Sequence, residues 1–503
     1  MLSILLAFIV IALVTYLSLK PLINNLFYSV PHEPEYIHSY IPYIGFGFEM
    51  FKDPIGFIGS LHAKYGKAFV IYLTSKRWVY LSDEQTYLKA LKSSDLSIDK
   101  FFMDFLANAL DVSRQSVTDE GLHHIQMKQF HRYLAGDDLN ILNKRVYDSL
   151  IESMKLDAKI IQDDQIKTAN LFDLFGELLL YAGAEGLYGH SFVTEQRNTS
   201  PNFFKLFQEF EQAFKLSVFR IPFRSILYKS TFQNRLEFVK RFSSLQLNNG
   251  ESKLINSTEK LYRSDKYKHL FTQYDIGALQ ATALFAGVAN TAPLSCWAVV
   301  DLLLHPEALE AVKQELKEKI PSSSSELIYE KETLANLKIL ESCIHESIRR
   351  VFNIISVREA IRNTTIECFD KTKIGLRKGD VLIYSGFIKH FDPNLFGPNP
   401  YEYEYDRFVK KINQPTVPSI MLFGCGTHMC PGRFWAINEI KILVALIIQH
   451  MDIQFINMTE KDKDECRKKL PYDYSKFVAS GGPKKGYKHK FDIKYSYKNF
   501  DME

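Results

Sequence analysis

The feature that most constrains the fold is a glycine-rich segment, Phe423 to Gly432, which contains two cysteines and continues into an apolar helical pattern ending at His450. Its glycines permit tight backbone turns. Pro431 occupies a position where a helix can begin without losing a hydrogen bond. Cys430 is therefore predicted at a helix N-terminus, where the dipole and the free N–H groups favour a thiolate. Such a sulfur can be a nucleophile, a redox thiol, a zinc ligand or a haem ligand.

Some of these roles find little support elsewhere in the chain. A tetrahedral zinc site built on Cys425, His428 and Cys430 would lack a second cysteine pair to complete it. A cysteine protease would need a base that the spacing does not reveal. A cysteine that is simply buried fits poorly with three glycines and a proline around it.

The same segment resembles the haem loop of the cytochromes P-450, Phe-x-x-Gly-x-x-x-Cys-x-Gly. Phe423, Gly426, Cys430 and Gly432 match its fixed places. The resemblance implies haem b with Cys430 as the axial iron ligand and Phe423 packed beside the sulfur. His428 takes the position where the family often has a propionate-binding arginine. Because thiolate ligation favours O–O cleavage, the resemblance also implies an oxidoreductase that receives electrons from NADPH through a cytochrome reductase.

Three charged residues follow the order of further family motifs. Glu346 and Arg349 match its Glu-x-x-Arg and lie on one helical face, where their charges can pair. Arg407 lies in a Tyr-Asp-Arg-Phe segment that matches the family's Pro-Glu-Arg-Phe loosely, since the proline is missing and the acid is aspartate. The resemblance implies that these three residues form a buried structural network.

Further propionate partners are predicted from the resemblance. Arg358 follows Arg349 by nine residues, where the family often places such a cation. Lys128, His131 and Arg132 lie in a helical segment that lacks the tryptophan usual in the family. For each of the latter three, a solvated surface position is an equally good interpretation.

The predicted central helix, 276–300, departs from the family's common pattern. Ala289 replaces the usual acid and Asn290 the usual first threonine, with Thr291 following. Pro293 cannot donate to the carbonyl of Ala289, so that carbonyl is freed and the helix is predicted to kink. We expect residues 289–291 to form the catalytic polar site; the alternative is an ordinary proline kink.

The Asn-Thr-x-Pro sequence and the Cys-Trp pair after it resemble one branch of the family. That branch contains sterol 7α- and 12α-hydroxylases, oxysterol 7α-hydroxylases and prostacyclin synthase. It implies a monooxygenase that hydroxylates a lipophilic, sterol-like substrate. The alternative is a haem-thiolate isomerase or dehydratase of a lipid peroxide, because the branch contains both chemistries. A non-catalytic, anchored lipid-binding protein is a third interpretation.

The N-terminus predicts a single membrane anchor. Met1 to Leu19 contains 16 apolar residues and no charged side chain. A helix of this length spans about 28 Å, close to the hydrocarbon thickness of a bilayer. A cleavable signal peptide is the alternative, but no small-residue cleavage pattern follows. We predict an anchor at 1–20, a proline-rich neck at 21–50 and a haem-thiolate catalytic domain at 51–503.

The catalytic domain is predicted to face the cytosol from the endoplasmic reticulum membrane. Six cysteines in 503 residues are too sparse for a disulfide scaffold, which indicates a reducing compartment. The 62 Lys and Arg against 58 Asp and Glu exclude a general nucleic-acid binder, which would show a strong basic excess.

The remaining pattern predicts a mainly α fold with a small β region, and the resemblance implies that this is the cytochrome P-450 fold. Helical periodicity dominates 83–319, and Phe69–Leu73 with Trp78–Leu81 predicts a hairpin. The central helix is expected to be buried rather than to form a second membrane span, because polar residues and a proline interrupt it. Phe203–Tyr228 predicts either a membrane-dipping substrate lid or a helix pair packed on the core.

Overall fold

The computed structural model describes residues 16, 28–39, 41, 44–73, 76–118, 120–159, 166–218, 224–243, 245, 250–320, 328–351, 355–409, 420–424, 426, 429–474 and 480–498. The predicted anchor lies outside these residues except for Tyr16, and so do Cys425 and His428. The described part is mainly helical with small sheets, which confirms the predicted fold class.

The helices are numbered in chain order. The first eleven are α1 Gly47–Lys52, α2 Pro54–Tyr65, α3 Glu84–Ala90, α4 Asp99–Leu110, α5 Arg114–Thr118, α6 Glu120–Tyr133, α7 Asp138–Lys159, α8 Leu171–Tyr188, α9 His190–Asn198, α10 Phe203–Val218 and α11 Arg224–Leu227. The next ten are α12 Lys229–Ser243, α13 Lys253–Tyr262, α14 Gln273–Leu304, α15 Pro306–Lys319, α16 Lys331–Asn336, α17 Lys338–Val351, α18 Phe387–His390, α19 Pro393–Phe396, α20 Arg433–His450 and α21 Glu460–Lys468.

The strands form three sheets. They are β1 Glu35–Tyr36, β2 Ala68–Leu73, β3 Lys76–Leu81, β4 Leu96–Ser97, β5 Lys167–Asn170, β6 Ile355–Ala360, β7 Thr364–Glu367, β8 Lys373–Leu376, β9 Val381–Ser385, β10 Met451–Phe455 and β11 Asp492–Tyr497. The sheet orders are β1-β2-β3-β9-β6-β4, β10-β11-β5 and β7-β8.

One compact unit combines residues 1–105, 353–389 and 424–427 and contains the six-stranded sheet. Strands β2 and β3 are antiparallel, with Phe69 opposite Tyr80, which confirms the predicted hairpin. These two rings stack at 4.8 Å between centroids and are fully buried with Met50 and Ile58. The apolar face of the sheet therefore forms the core of this unit.

The other unit combines residues 106–352, 390–423 and 428–503 and is built around α14. This helix packs against α8, α12, α17 and α20. Its N-terminus carries a capping box, in which Thr272 and Asp275 satisfy each other's main-chain N–H groups. Asp275 also accepts the N–H of Ser113, just before α5, at 2.9 Å. The start of the central helix is thereby fixed in this unit.

Burial of α14 confirms the predicted central core helix. Among the described residues it is the one helix long and apolar enough to cross a bilayer, and most of that apolar stretch is buried within the protein. The apolar composition is explained by contacts inside the unit, and the helix continues through Pro293.

The region predicted as a lid or packed helix pair begins with α10, whose aromatic residues share one face. They contact Phe238 of α12 or Phe285 of α14 at ring-centroid distances of 4.7–6.2 Å; the four residues are Phe203, Phe207, Phe210 and Phe214. All four rings are buried. For α10, the packed amphipathic helix is therefore the correct interpretation.

Candidate functional site

Cys430 ends the glycine-rich loop immediately before α20. Its N–H donates to the Phe423 carbonyl at 2.9 Å, and its carbonyl accepts from Arg433 Nη1 at 3.1 Å. Gly432 is the N-cap residue of α20. If Gly432 carried a side chain, its Cβ atom would lie 3.7 Å from Leu134 Cδ1 and 4.0 Å from Cys430 Sγ, so both groups lie beside this glycine. The sulfur thus lies at a helix N-terminus, next to the chain that leaves α6.

The loop conformation depends on glycine at two positions before the cysteine. Gly424 and Gly426 have φ angles of +73° and +70°, in the left-handed region that side-chain-bearing residues rarely adopt. These two glycines are therefore required by backbone geometry.

Two opposing effects act on the pKa of the Cys430 thiol. Burial raises the pKa of the Cys430 thiol, while the Gly432 N–H and the Arg433 charge oppose that rise without cancelling it. The helix N-terminus therefore favours the thiolate as predicted, but burial has the larger effect. A metal cation at the sulfur would supply the missing stabilisation, because thiolate ligands lose their proton when they bind a metal.

A single described sulfur, that of Cys430, suits haem, whereas the zinc alternative depends on Cys425 and His428, which lie outside the described residues. Among the described residues, the one group of three His, Cys, Asp or Glu side chains within metal-binding reach lies elsewhere, at Glu152, Glu185 and His190. Within that part of the chain, Cys430 is a single ligand. Haem iron can take one axial thiolate from the protein, whereas structural zinc takes four protein ligands.

Arg358 has the character expected of a partner for an anionic group. It lies in β6, is only 5% exposed, and donates from Nη1 to the Val357 carbonyl at 2.7 Å. No carboxylate of a described residue forms an ion pair with it. A buried guanidinium without a counter-ion is costly unless an anion neutralises it, and a haem propionate would do so.

The other predicted propionate partners are less informative. Lys128, His131 and Arg132 are exposed on α6, and the guanidinium of Arg132 lies 5.3 Å from the Tyr133 ring centroid. The prediction for His428 falls outside the described residues. Their roles stay predictions.

The structure brings Glu346, Arg349 and Arg407 into one buried network. Arg349 donates to both Glu346 carboxylate oxygens, at 2.7 Å from Nη2 and 2.8 Å from Nε, and Arg407 Nε lies 3.1 Å from both. Arg349 Nη1 donates to the carbonyls of His390 and Pro400. The Glu346 and Arg349 side chains are fully buried. One carboxylate thus faces two guanidinium groups. Main-chain carbonyls accept the hydrogen bonds that Arg349 does not give to this carboxylate.

Asn290 is held by a residue that the sequence did not point to. Asn290 Oδ1 accepts the N–H of Ser480 at 2.9 Å and its hydroxyl at 3.2 Å. The next residue, Gly481, accepts from Trp297 Nε1 at 2.9 Å and donates to the Tyr472 hydroxyl at 2.6 Å. A Ser-Gly-Gly-Pro run predicts a turn here, but no local pattern could have predicted its partner on α14.

The hydrogen bonds from Ser480 define which way the Asn290 amide faces. A main-chain N–H requires an acceptor, so the carboxamide oxygen points to Ser480 and the Nδ2 group points elsewhere. The side chain is half-buried, whereas Ala289 and Thr291 are buried. The Thr291 hydroxyl donates to the Gly287 carbonyl at 2.7 Å. Of the three predicted catalytic residues, Asn290 is thus the one that retains an accessible donor.

Glu439 is a second residue that sequence reasoning missed. It lies in α20, is 1% exposed, and neither carboxyl oxygen has a hydrogen-bond partner among the described residues. If Gly183 of α8 carried a side chain, its Cβ atom would lie 3.5 Å from Glu439 Oε1, so the carboxyl group lies close to the backbone of α8. Burial raises the pKa of the Glu439 carboxyl well above its ordinary value, and the Thr291 side chain acts in the opposite direction. Burial therefore favours the neutral form of this acid. An acid in a mostly apolar helix was the available signal.

Comparisons with known proteins extend over nearly the whole chain. Residues 38–476 match the family model described as Cytochrome P450. The chain is 27% identical to Cytochrome P450 7B1 of Mus musculus, covering 85% of this chain and 86% of the relative. It is 24% identical to 7-alpha-hydroxycholest-4-en-3-one 12-alpha-hydroxylase of Homo sapiens, covering 85% and 87%. It is also 24% identical to cholesterol 7-alpha-monooxygenase of Cricetulus griseus, covering 84% and 87%.

Proposed function

The chain belongs to the cytochrome P450 family of haem-thiolate enzymes, which receive electrons from a reductase, and on that premise we propose that it is a membrane-anchored sterol or oxysterol hydroxylase. The observation that carries this proposal is the similarity to sterol hydroxylases across about 85% of the chain. Sequence similarity of that extent to several hydroxylases favours hydroxylation over the lipid-peroxide isomerase.

Different residues of this chain would ligate the iron, bind the haem propionates and support the fold. Cys430 would hold the iron, and Arg358 and the cations of α6 would hold the propionates. When bound, the haem supplies the activation of O2, with electrons from NADPH through a reductase, and the transfer of one oxygen atom to a C–H bond. The Glu346–Arg349–Arg407 network supports the fold around it.

Asn290 would orient the water that delivers protons. Because its Oδ1 is engaged by Ser480, the side chain acts through Nδ2, which donates a hydrogen bond to a water molecule. Ala289 has no acidic group, and its carbonyl lacks an N–H from Pro293 four residues later. That carbonyl can accept a hydrogen bond from the same water. Water rather than a carboxylic acid would therefore carry the proton at this point of the helix.

Membrane association is supported by α11 and by the apolar N-terminal sequence. Ile226 and Leu227 are 73% and 67% exposed, and Arg224 and Lys229 flank them in sequence. An exposed apolar pair flanked by cations suits the boundary between headgroups and acyl chains. We place the protein in the endoplasmic reticulum membrane, with one anchor and a cytosolic catalytic domain.

Reconstituted turnover tests the proposal. The full-length protein is combined with NADPH–cytochrome reductase and offered cholesterol, 25-hydroxycholesterol and 7α-hydroxycholest-4-en-3-one under 18O2. The expected result is an NADPH-dependent product that contains one labelled oxygen atom.

Two outcomes contradict it. Conversion of a lipid peroxide without an electron donor, with no hydroxylation of sterols, identifies the isomerase. A haem-loaded protein that binds sterols but neither accepts electrons nor converts peroxides identifies a binding protein.

A further inference from the structure

A group of ionisable side chains on helices α7, α8 and α9 has no role in the hydroxylation proposed above. It consists of Glu152, Glu185 and His190. His190 Nδ1 lies 3.4 Å from Glu185 Oε1 and 3.7 Å from Glu152 Oε2. The three possible ligand atoms are all within 4.8 Å of one another.

These separations are close to those of ligands around one small cation. Zinc bonds nitrogen and carboxylate oxygen at about 2.0–2.2 Å, so two ligands in a tetrahedral site lie about 3.3 Å apart. The 3.4 Å and 3.7 Å distances from His190 are only slightly longer. They exceed the usual length of a charged N–H···O hydrogen bond, about 2.7–2.9 Å.

The second carboxyl oxygen of Glu185, the one that does not face His190, is a further observation at this position. The residue is only 6% exposed, and its Oε2 has no hydrogen-bond partner among the described residues. Burial raises the pKa of its carboxyl; the Ser149 hydroxyl and His190 oppose this rise, whereas Glu152 adds to it. A buried carboxylate beside a second carboxylate is stabilised by a cation.

The other two residues, His190 and Glu152, leave the group accessible to solvent, and the His190 ring has a partner that can orient it. The His190 and Glu152 side chains are 61% and 43% exposed, so a hydrated ion can reach them. His190 Nε2 lies 3.3 Å from the Thr194 hydroxyl oxygen. An Nε2–H that donates to this oxygen would leave Nδ1 as the metal-binding nitrogen, as metal-ligating histidines commonly are arranged.

We propose that Glu152, Glu185 and His190 form a binding site for a divalent transition-metal cation, best suited to zinc. One imidazole and two carboxylates suit zinc, and water would complete the coordination. The site joins three helices at Gly189, where the chain turns from α8 into α9 with a φ of +83°. Metal binding there stabilises this junction. The inference is independent of the hydroxylation proposed above.

Zinc titration of the haem-loaded, full-length protein tests the site. After treatment with a chelator, the protein competes for Zn²⁺ with a chromophoric chelator at pH 7.5. We expect one ion per chain to be bound at this position. Its affinity should fall at least about tenfold in His190→Ala and in Glu185→Gln, as loss of one ligand requires. Glu195→Gln, an exposed acid on the same helix, should bind zinc like the wild type.

Thermal unfolding gives the second readout. Zinc should raise the Tm of the wild type and of Glu195→Gln, but not that of His190→Ala. His190 is mostly exposed, so this variant should keep its fold and its haem spectrum. Equal zinc affinity and an equal Tm increase in the wild type and His190→Ala would overturn the site, as would the absence of zinc binding to the wild type. Hydroxylase activity does not enter either measurement.

Discussion

Ser480 donates both its main-chain N–H and its hydroxyl to one oxygen of Asn290, at 2.9 Å and 3.2 Å, although the two residues are 190 positions apart. This contact joins the central helix to the segment that begins at Ser480. It also determines which end of the Asn290 amide remains available. An amide can donate or accept a hydrogen bond, and because Oδ1 is occupied by Ser480, the Nδ2 donor is the end that remains.

Asn290→Ala should uncouple turnover while haem and substrate binding persist. Loss of the Nδ2 donor leaves the proton-delivering water unoriented, so NADPH is consumed and peroxide is released. We expect the ratio of product to NADPH to fall about a hundredfold, the lower end of the range for proton-transfer groups. Product and peroxide are measured per NADPH consumed. Asn290→Thr should recover part of the coupling.

Ser480→Ala is the matched control for that experiment. It removes the 3.2 Å hydroxyl contact but keeps the shorter main-chain bond, so the amide stays oriented. Its coupling should lie close to the wild-type value. If Asn290→Ala also keeps wild-type coupling, Asn290 has no part in proton delivery.

Cys430→Ala should abolish the red-shifted ferrous–CO absorbance that thiolate ligation produces. Cys430 occupies the ligand position of the motif, whereas Cys425 lies between its fixed places. Cys425→Ala should keep the absorbance. A thiolate-type spectrum in both variants would mean that Cys430 is not the iron ligand.

Glu346→Ala should yield little folded, haem-loaded protein. The substitution leaves Arg349 and Arg407 facing each other without their shared carboxylate, and breaking such a buried pair costs about 3–5 kcal/mol. That is a large share of a total stability of about 5–15 kcal/mol. Haem content per milligram and the urea midpoint measure the effect.

Glu310→Ala provides the comparison for a solvent-exposed pair of the same spacing. Glu310 and Lys313 are also three residues apart and lie 2.6 Å from each other, but their side chains are 69% and 43% exposed. The free energy of unfolding should change by about 1 kcal/mol or less. Similar losses in the two variants would show that burial of Glu346 contributes nothing.

Glu439→Gln should flatten the dependence of stability on pH. Because burial raises the folded-state pKa of this acid above its unfolded value, the folded state binds more protons between the two values. Stability from this group is therefore present below about pH 4.5 and is lost as pH rises towards the folded pKa, by about 1.4 kcal/mol per pH unit. Glutamine mimics the neutral acid without this loss.

The check is the free energy of unfolding of both proteins from pH 5 to pH 8. The difference between Glu439→Gln and the wild type should grow in favour of the variant as pH rises. Glu460→Gln, an exposed acid in α21, should follow the wild-type curve. A constant difference across this range would mean that Glu439 is already ionised in the folded protein.

By itself, the sequence determined the features that depend on near neighbours. The glycine-rich loop and Pro431 place Cys430 at a helix start because turn and capping preferences act over a few residues. Alternating apolar residues produce the β2–β3 hairpin, and polar interruptions identified α14 as a core helix. Glu346 and Arg349 could be paired because a helix brings residues three apart together.

Only the tertiary structure decided which distant groups meet and which charges are buried. Arg407 reaches Glu346 across 61 residues, Ser480 reaches Asn290 across 190, and burial raises the pKa of the Glu439 carboxyl in α20. Burial also outweighs the helix N-terminus at Cys430 and raises the pKa of its thiol. Local preferences cannot encode these outcomes, because desolvation and long-range pairing depend on how the helices of a unit pack together.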